Sequence, residues 1–77
     1  MTLRVKYFAS LRERMGRAGD TIDNIDAASI AEIWARVSGN QPIPANTVVA
    51  VNREYANIDR KVQDGDEVAF FPPVTGG

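Results

Sequence analysis

The chain closes on Phe71-Pro72-Pro73-Val74-Thr75-Gly76-Gly77, and the reactive group this ending offers is the carboxylate of Gly77 rather than any side chain. With Gly at roughly 7% of residues, a terminal Gly-Gly pair arises by chance in about one chain in two hundred, and the Pro pair ahead of it is rarer still. Many frayed termini tolerate glycine, but two prolines and an apolar stretch running straight into them point to a built tail. Pro72 and Pro73 cannot donate to a sheet ladder and hold φ near about −65°, so strand pairing must stop at Phe71 and the chain must leave as a stiff arm. Residues 72–77, fully extended, reach about 20 Å at most, enough to enter a neighbouring protein's cleft. Gly76 and Gly77 carry no Cβ, so they can pass a narrow channel and let a nucleotide or another backbone approach the carboxylate. The end of the chain can therefore serve as a substrate.

Other chemistry-bearing types are missing. The sequence has no Cys and no His, which removes disulfides, thiol nucleophiles, Cys-based zinc sites and the side chain that most readily titrates near pH 7. Asp64, Asp66 and Glu67 crowd around Gly65, but three acids without further spaced ligands make a turn more often than a cation site, and no metal is expected. Nine basic residues against ten acidic ones give a net charge of −1 with no basic run, so neither nucleic acid nor an anionic membrane is an expected partner. Arg4, Lys6, Arg12, Glu13 and Arg14 interrupt any apolar leader, and a cytoplasmic location is the expectation. At 77 residues the chain is read as one domain, 1–77, with 72–77 as its projecting tail. So short a chain buries only about 60% of the surface its unfolded form exposes, which leaves a thin core.

The elements that must position this tail can be read from periodicity. Leu3, Val5 and Tyr7 alternate with Thr2, Arg4 and Lys6, the pattern of a half-buried strand. Ser10 with Glu13 matches a capping box, and Gly16 stands where a left-handed residue closes a helix, predicting a short helix over Ser10–Met15. Gly19-Asp20 reads as a turn and residues 21–25 as a second strand whose alternation Asn24 interrupts. Ser29 and Glu32 form a second capping-box match, and Ile30, Ile33, Trp34 and Val37 fall at i, i+3, i+4 and i+7. These predict the main amphipathic helix, ended near Gly39. Residues 41–46 carry Pro42 and Pro44 and form a loop. A strand over 47–51, a turn at Asn52-Arg53-Glu54, a turn at Asp64-Gly65-Asp66 and a last strand, Glu67 to Phe71, complete the chain. One long helix among about four to five strands indicates an α+β domain whose helix covers one sheet face.

Several segments together resemble the small, sulfur-carrying subunit of molybdopterin synthase. They are Tyr7-Phe8-Ala9 with Leu11-Arg12-Glu13, Ala50-Val51-Asn52, and Asp64-Gly65-Asp66-Glu67-Val68-Ala69-Phe70-Phe71 running into Pro-Pro-Val-Thr-Gly-Gly. The likeness spans nearly the whole length, departing at 24–28 and 40–46, and the last segment carries most of its specificity. It implies a ubiquitin-like β-grasp fold with a mixed sheet and a flexible Gly-Gly tail. It also implies a route: an E1-like activating enzyme adenylates Gly77 with ATP, a persulfide donor converts the adenylate to a thiocarboxylate, and the large synthase subunit uses that sulfur on cyclic pyranopterin monophosphate. On that route the chain is no enzyme on its own, binds no permanent cofactor, and meets a nucleotide only as the glycyl adenylate.

If Val68 and Phe70 face the core under Trp34, strand alternation turns Ala69 and Phe71 outward, and an outward Phe beside two prolines suggests a partner. The resemblance adds Phe8 and Tyr55 to that docking surface; by residue type alone each is equally an ordinary core or hairpin aromatic. Arg12, Glu13 and Arg14 read as a solvated helix face, with Arg12 able to help seat the activating enzyme. Lys61 is not expected to receive an isopeptide bond. The rival readings are a carrier for thiazole, cysteine or tRNA-thiolation sulfur, a ubiquitin-like modifier that transfers Gly77 to lysines, and an interaction module with an inert tail.

Overall fold

The computed structural model describes residues 2–23, 26 and 28–73. Leu3, Val5 and Tyr7 are buried while Arg4 and Lys6 are exposed, so the predicted alternation becomes strand β1 (Leu3–Tyr7). Helix α1 (Ser10–Met15) follows, then β2 (Gly19–Ile22), α2 (Ile30–Ser38), β3 (Val48–Val51), β4 (Glu54–Ala56) and β5 (Glu67–Phe71). The strands form one sheet in the order β2-β1-β5-β3-β4. β5 lies parallel to β1, and the other pairs are antiparallel.

Helix α2 forms where three local signals coincide. Ser29 Oγ accepts the Glu32 backbone N–H at 3.2 Å, and Glu32 Oε1 accepts the Ser29 N–H at 3.3 Å, closing the predicted capping box. The Ser29 N–H and the Ser29 hydroxyl, which both donate to Glu32 Oε1, together with nearby Lys61, hold the Glu32 carboxyl below its ordinary range. Two further N–H groups at this helix start would lack partners in an isolated helix. Ile30 N–H donates to Arg60 C=O at 3.0 Å and Ala31 N–H to Ile58 C=O at 2.9 Å. At the other end Gly39 takes φ 70° and stops the helix.

The apolar stripe Ile30, Ile33 and Trp34 packs on Leu3, Val5 and Tyr7 of β1, Val68 and Phe70 of β5, and Val49 and Val51 of β3, forming one buried cluster. Trp34 meets Phe70 edge-on, ring centroids 5.0 Å apart, and its Nε1–H donates to Gln41 C=O at 3.0 Å. The indole is thus buried with its polar atom satisfied, and it ties the loop over 41–46 to the helix. Arg17 makes a second tie: Nε donates to Asp20 Oδ2 at 2.7 Å, Nη1 to Met15 C=O at 2.9 Å and Nη2 to Val37 C=O at 2.8 Å. The Tyr7 hydroxyl donates to the same Asp20 oxygen at 2.7 Å.

Three local expectations are corrected. Ser10 does not cap α1, because only Phe8 and Ala9 connect it to β1: Ala9 is the cap residue, its C=O accepts from Arg12 and Glu13, and no side-chain cap bond forms. Gly19-Asp20 is no turn. Both residues lie in β2, opposite Lys6 and Val5, and glycine is required there because a Cβ at position 19 would stand 2.5 Å from the Val5 carbonyl oxygen. Asn24 and Ile25 of the strand expected at 21–25 fall outside the described residues. Glu54 opens β4, leaving a two-residue turn at Asn52 and Arg53 with φ 51° and 71°, the signature of a type I′ hairpin. The last strand begins and ends where the sequence placed it.

Two outcomes follow for stability. Trp34→Ala removes a side chain only 2% exposed and costs about 3 to 5 kcal/mol, a large part of what so small a domain has; urea unfolding checks this, and a near-native midpoint would contradict the packing. Burial first, then the bond to Asp20, pushes the Tyr7 phenol well above its ordinary range. The unfolded chain loses that proton near about pH 10 while the folded chain keeps it, so stability falls as pH rises past that point. Tyr7→Phe should flatten this alkaline slope, and equal slopes in urea titrations of both proteins would refute the assignment.

Candidate functional site

Strand register assembles the site on the sheet face away from α2. Opposite one another on that face stand Val48 and Phe71, then Ala50 and Ala69, with Lys6 beside Ala69 and Tyr55 beside Ala50. The Phe8 N–H donates to Phe70 C=O at 3.1 Å, which carries the β1–β5 ladder one residue past β1 and brings Phe8 next to Phe71. Their rings stack with centroids 4.5 Å apart and planes 6° from parallel. Each is half-buried, so the outward Phe71 predicted from parity has one face covered by Phe8. Neither Phe8 nor Tyr55 joins the core cluster; Tyr55 is 84% exposed.

The face is graded along the strands. At its far end Glu67 lies 3.9 Å from Arg4 and 3.6 Å from Lys6. In the middle Ala50 and Ala69 form a low apolar floor. At the near end stand the Phe8–Phe71 plate and Val48, and there the chain leaves the sheet through half-buried Pro72 and exposed Pro73. Val74, Thr75, Gly76 and Gly77 lie outside the described residues. Phe8, Tyr55, Phe71 and Pro72 thus share one surface, at the root of the predicted tail.

Acids around Gly65 are engaged in building the turn. Asp64 accepts the Thr2 N–H at 2.6 Å, and Asp66 accepts the Gln63 N–H at 2.7 Å and the Asn52 side-chain amide at 2.9 Å. Among the described residues no group of three or more acids, His or Cys is placed to hold a metal ion. An open groove of about 510 Å³ runs beside the plate, lined by Lys6, Phe8, Arg12, Gly19 and Thr21 among others, a surface trough and not a chamber. No described helix is long and apolar enough to cross a membrane. Lys61 lies 3.6 Å from Glu32.

Sequence reasoning missed the stack of Phe8 on Phe71 and the turn at Ala9 that precedes α1. Parity along β5 pointed to Phe71, whereas the period breaks at Phe8, leaving no local signal for where its ring goes. A stacked aromatic pair contributes about 0.5 to 1.5 kcal/mol beyond buried area. A double-mutant cycle on stability with Phe8→Ala and Phe71→Ala should recover a coupling in that range; additive losses would mean that the rings do not interact in solution.

Sequence comparison matches residues 5–77 to the ThiS family. The chain is 35% identical over 83 aligned residues to a molybdopterin synthase sulfur carrier subunit of Chlamydomonas reinhardtii, covering 100% of both. Its structure is similar to that of SAMP1, small archaeal modifier protein 1, of Haloferax volcanii, with a TM-score of 0.83 at 26% identity over 100% of both chains. It also shares its fold with a chain from the complex of subunits 1 and 2 of molybdopterin-converting factor from Helicobacter pylori, TM-score 0.66 at 22% identity over 100% of both. The mixed five-stranded sheet packed on α2 is accordingly the ubiquitin-like β-grasp.

Proposed function

This chain belongs to the ThiS family, and on that premise we propose that it is the sulfur carrier of a molybdopterin synthase, working through the carboxylate of Gly77. A carboxylate is a poor electrophile. Adenylation by an E1-like enzyme with ATP gives it a good leaving group; the terminal sulfur of a persulfide donor displaces AMP to form an acyl disulfide. A thiol of the donor or activating enzyme then cleaves its S–S bond, becoming a disulfide with the donor and releasing the thiocarboxylate, an ionised sulfur nucleophile. The large synthase subunit directs that sulfur to cyclic pyranopterin monophosphate. The chain supplies a group and a docking face, holds no permanent cofactor, and needs neither Cys nor His.

The observation that carries this role is the continuity of face and tail. Phe71 is both half of the half-buried aromatic plate and the last residue of β5, so a partner seated on Phe8, Phe71 and Tyr55 receives the tail at a fixed point. The complex of two subunits named for the Helicobacter pylori protein supports a large subunit as that partner. The name of the Haloferax protein favours a second role, a protein modifier whose activated Gly77 is passed to lysines of targets. Intact mass spectrometry after incubation with activating enzyme, ATP and a sulfur donor separates them: oxygen-to-sulfur exchange at Gly77 marks a carrier, lysine adducts mark a modifier, and no change marks an inert tail.

Deleting Gly77 should leave folding and docking nearly intact, since a terminal glycine adds little to either, yet abolish sulfur transfer. The new carboxylate ends about 3.5 Å short of the reaction site, and reacting atoms must be held within about 3 to 3.5 Å. Adding one residue after Gly77 should fail as well, because a peptide carbonyl cannot be adenylated. Phe71→Arg should show the opposite split, keeping the terminal chemistry available while weakening association with the large subunit by about 2 kcal/mol or more. Near-native molybdopterin formation by the truncated or the extended chain, each homogeneous by mass, would overturn the role assigned to Gly77.

A further inference from the structure

Between β1 and α1 the chain has two residues, Phe8 and Ala9, in which to cross from the outer sheet face to the core. Phe8 lies half-buried outside, whereas Leu11 is 3% exposed inside the core cluster. A tight turn makes the crossing. The Leu11 N–H donates to Phe8 C=O at 3.1 Å, and Ala9, at the first corner, has φ 50° and ψ −127°. Those angles belong to the first central position of a type II′ turn, where glycine is expected because a Cβ is crowded by the backbone. Ala9 is exposed, so no packing of its methyl group accounts for the conformation.

Bonds on both sides of Ala9 account for it. Its C=O accepts from Arg12 at 3.0 Å and Glu13 at 3.3 Å, which starts α1, and the preceding Phe8 N–H is fixed to β5 at Phe70. Phe8 therefore has its N–H held by the sheet and its C=O held by the turn, and the direction of its ring follows from the turn. A backbone held in a sparsely populated region persists only where its surroundings over-determine it, and such sites cluster at functional positions. The side chain aimed here is Phe8, which lies flat on Phe71.

We propose that Ala9 is a positioning residue for the aromatic plate: its mirror-image backbone geometry, and not its methyl group, sets Phe8 on Phe71 beside the exit of the tail. The consequence for docking rests on the proposed function; the consequence for the rings does not. Any residue that accepts positive φ should keep the plate, and an L residue that resists it should not. Three 77-residue chains test this against the native one: Ala9→Gly, Ala9→Val, and a chemically synthesised chain with D-alanine at position 9. The readouts are ring-proton shifts and ring-to-ring Overhauser effects of Phe8 and Phe71, the urea midpoint, and the dissociation constant for the large synthase subunit.

The glycine and D-alanine chains should keep the ring-to-ring effects, with the D-alanine midpoint above the native one. Their affinity should stay within about twofold of native, while in Ala9→Val the rings should separate and affinity should fall at least about tenfold. A valine chain whose rings stay stacked, or a D-alanine chain whose rings separate or which melts earlier, overturns the proposal. Should the valine chain fail to fold, the D-alanine chain decides alone, since an unstrained mirror-image residue can only tighten the plate if Ala9 sets it. Separated rings at unchanged affinity would leave the positioning of Phe8 standing and remove Phe8 from the docking face.

Discussion

The parallel register of β1 on β5, with Val5 beside Val68 and Tyr7 beside Phe70, is the constraint from which the site follows. Parallel neighbours end at the same edge of a sheet, so β1 runs on into Phe8 and β5 into Phe71 at one place. Antiparallel pairing would have sent them to opposite ends. Parallel strands also require a long crossover, and here every other element lies within it. β5 is central, flanked by β1 and β3, and reads as a near-continuous apolar run, Val68 to Phe71, with Val68 and Phe70 in the core and Ala69 and Phe71 on the open face. Burial of Phe70 under Trp34 and exposure of half of Phe71 are two results of one strand's alternation.

The outer face is apolar from its middle to the end where the tail leaves it. Exposed ion pairs such as Glu67 with Arg4 and Lys6 contribute little to stability, but they keep the far end of the face wet and confine the apolar area to its middle, Ala50 and Ala69, and the end bearing Phe8, Val48 and Phe71. The two sheet edges are short, β4 having three residues and β2 four, which limits the unpaired backbone available for wrong partners.

Helix α2 was legible in the sequence because independent signals agree: Ser29 and Glu32 at its start, Ile30, Ile33 and Trp34 on one stripe, and Gly39 at its end. β5 was legible because a strong turn precedes it and prolines follow. β2 was not, since Gly19 and Asp20 are turn residues by type. They enter the sheet for tertiary reasons, Gly19 because β1 leaves no room for a Cβ and Asp20 because Tyr7 and Arg17 bind its carboxylate. The match of Ser10 and Glu13 to a capping box failed for a similar reason, because the connection from β1 starts α1 at Ala9. Asn40, Asn46 and Asn52 take positive φ, as their type permits, whereas Ala9 and Arg53 do so with nothing in their type to announce it. The tail was legible as composition, and its root as parity; the plate beside it was not, because a stack between residues 8 and 71 is a property of the sheet.

A domain with this thin a core cannot enclose a reaction, and the described face offers apolar area and shape, with its acid Glu67 already engaged by Arg4 and Lys6 at the far end. If the reacting group is the terminal carboxylate, the requirement placed on the fold is mechanical: to fix the point from which a stiff arm departs and leave the arm itself free. Strand pairing fixes Phe71, and Pro72 and Pro73 forbid its continuation. Beside that point stands the plate, two stacked rings that present a flat apolar surface. Because Phe8 enters the plate through a turn held by β5 and α1 together, disturbing either element displaces the plate from the arm beside it. On that reading the separation between core and tail is incomplete: removing Gly77 should leave the fold untouched, while the point from which the tail departs is set by the fold's most non-local pairing, β1 with β5.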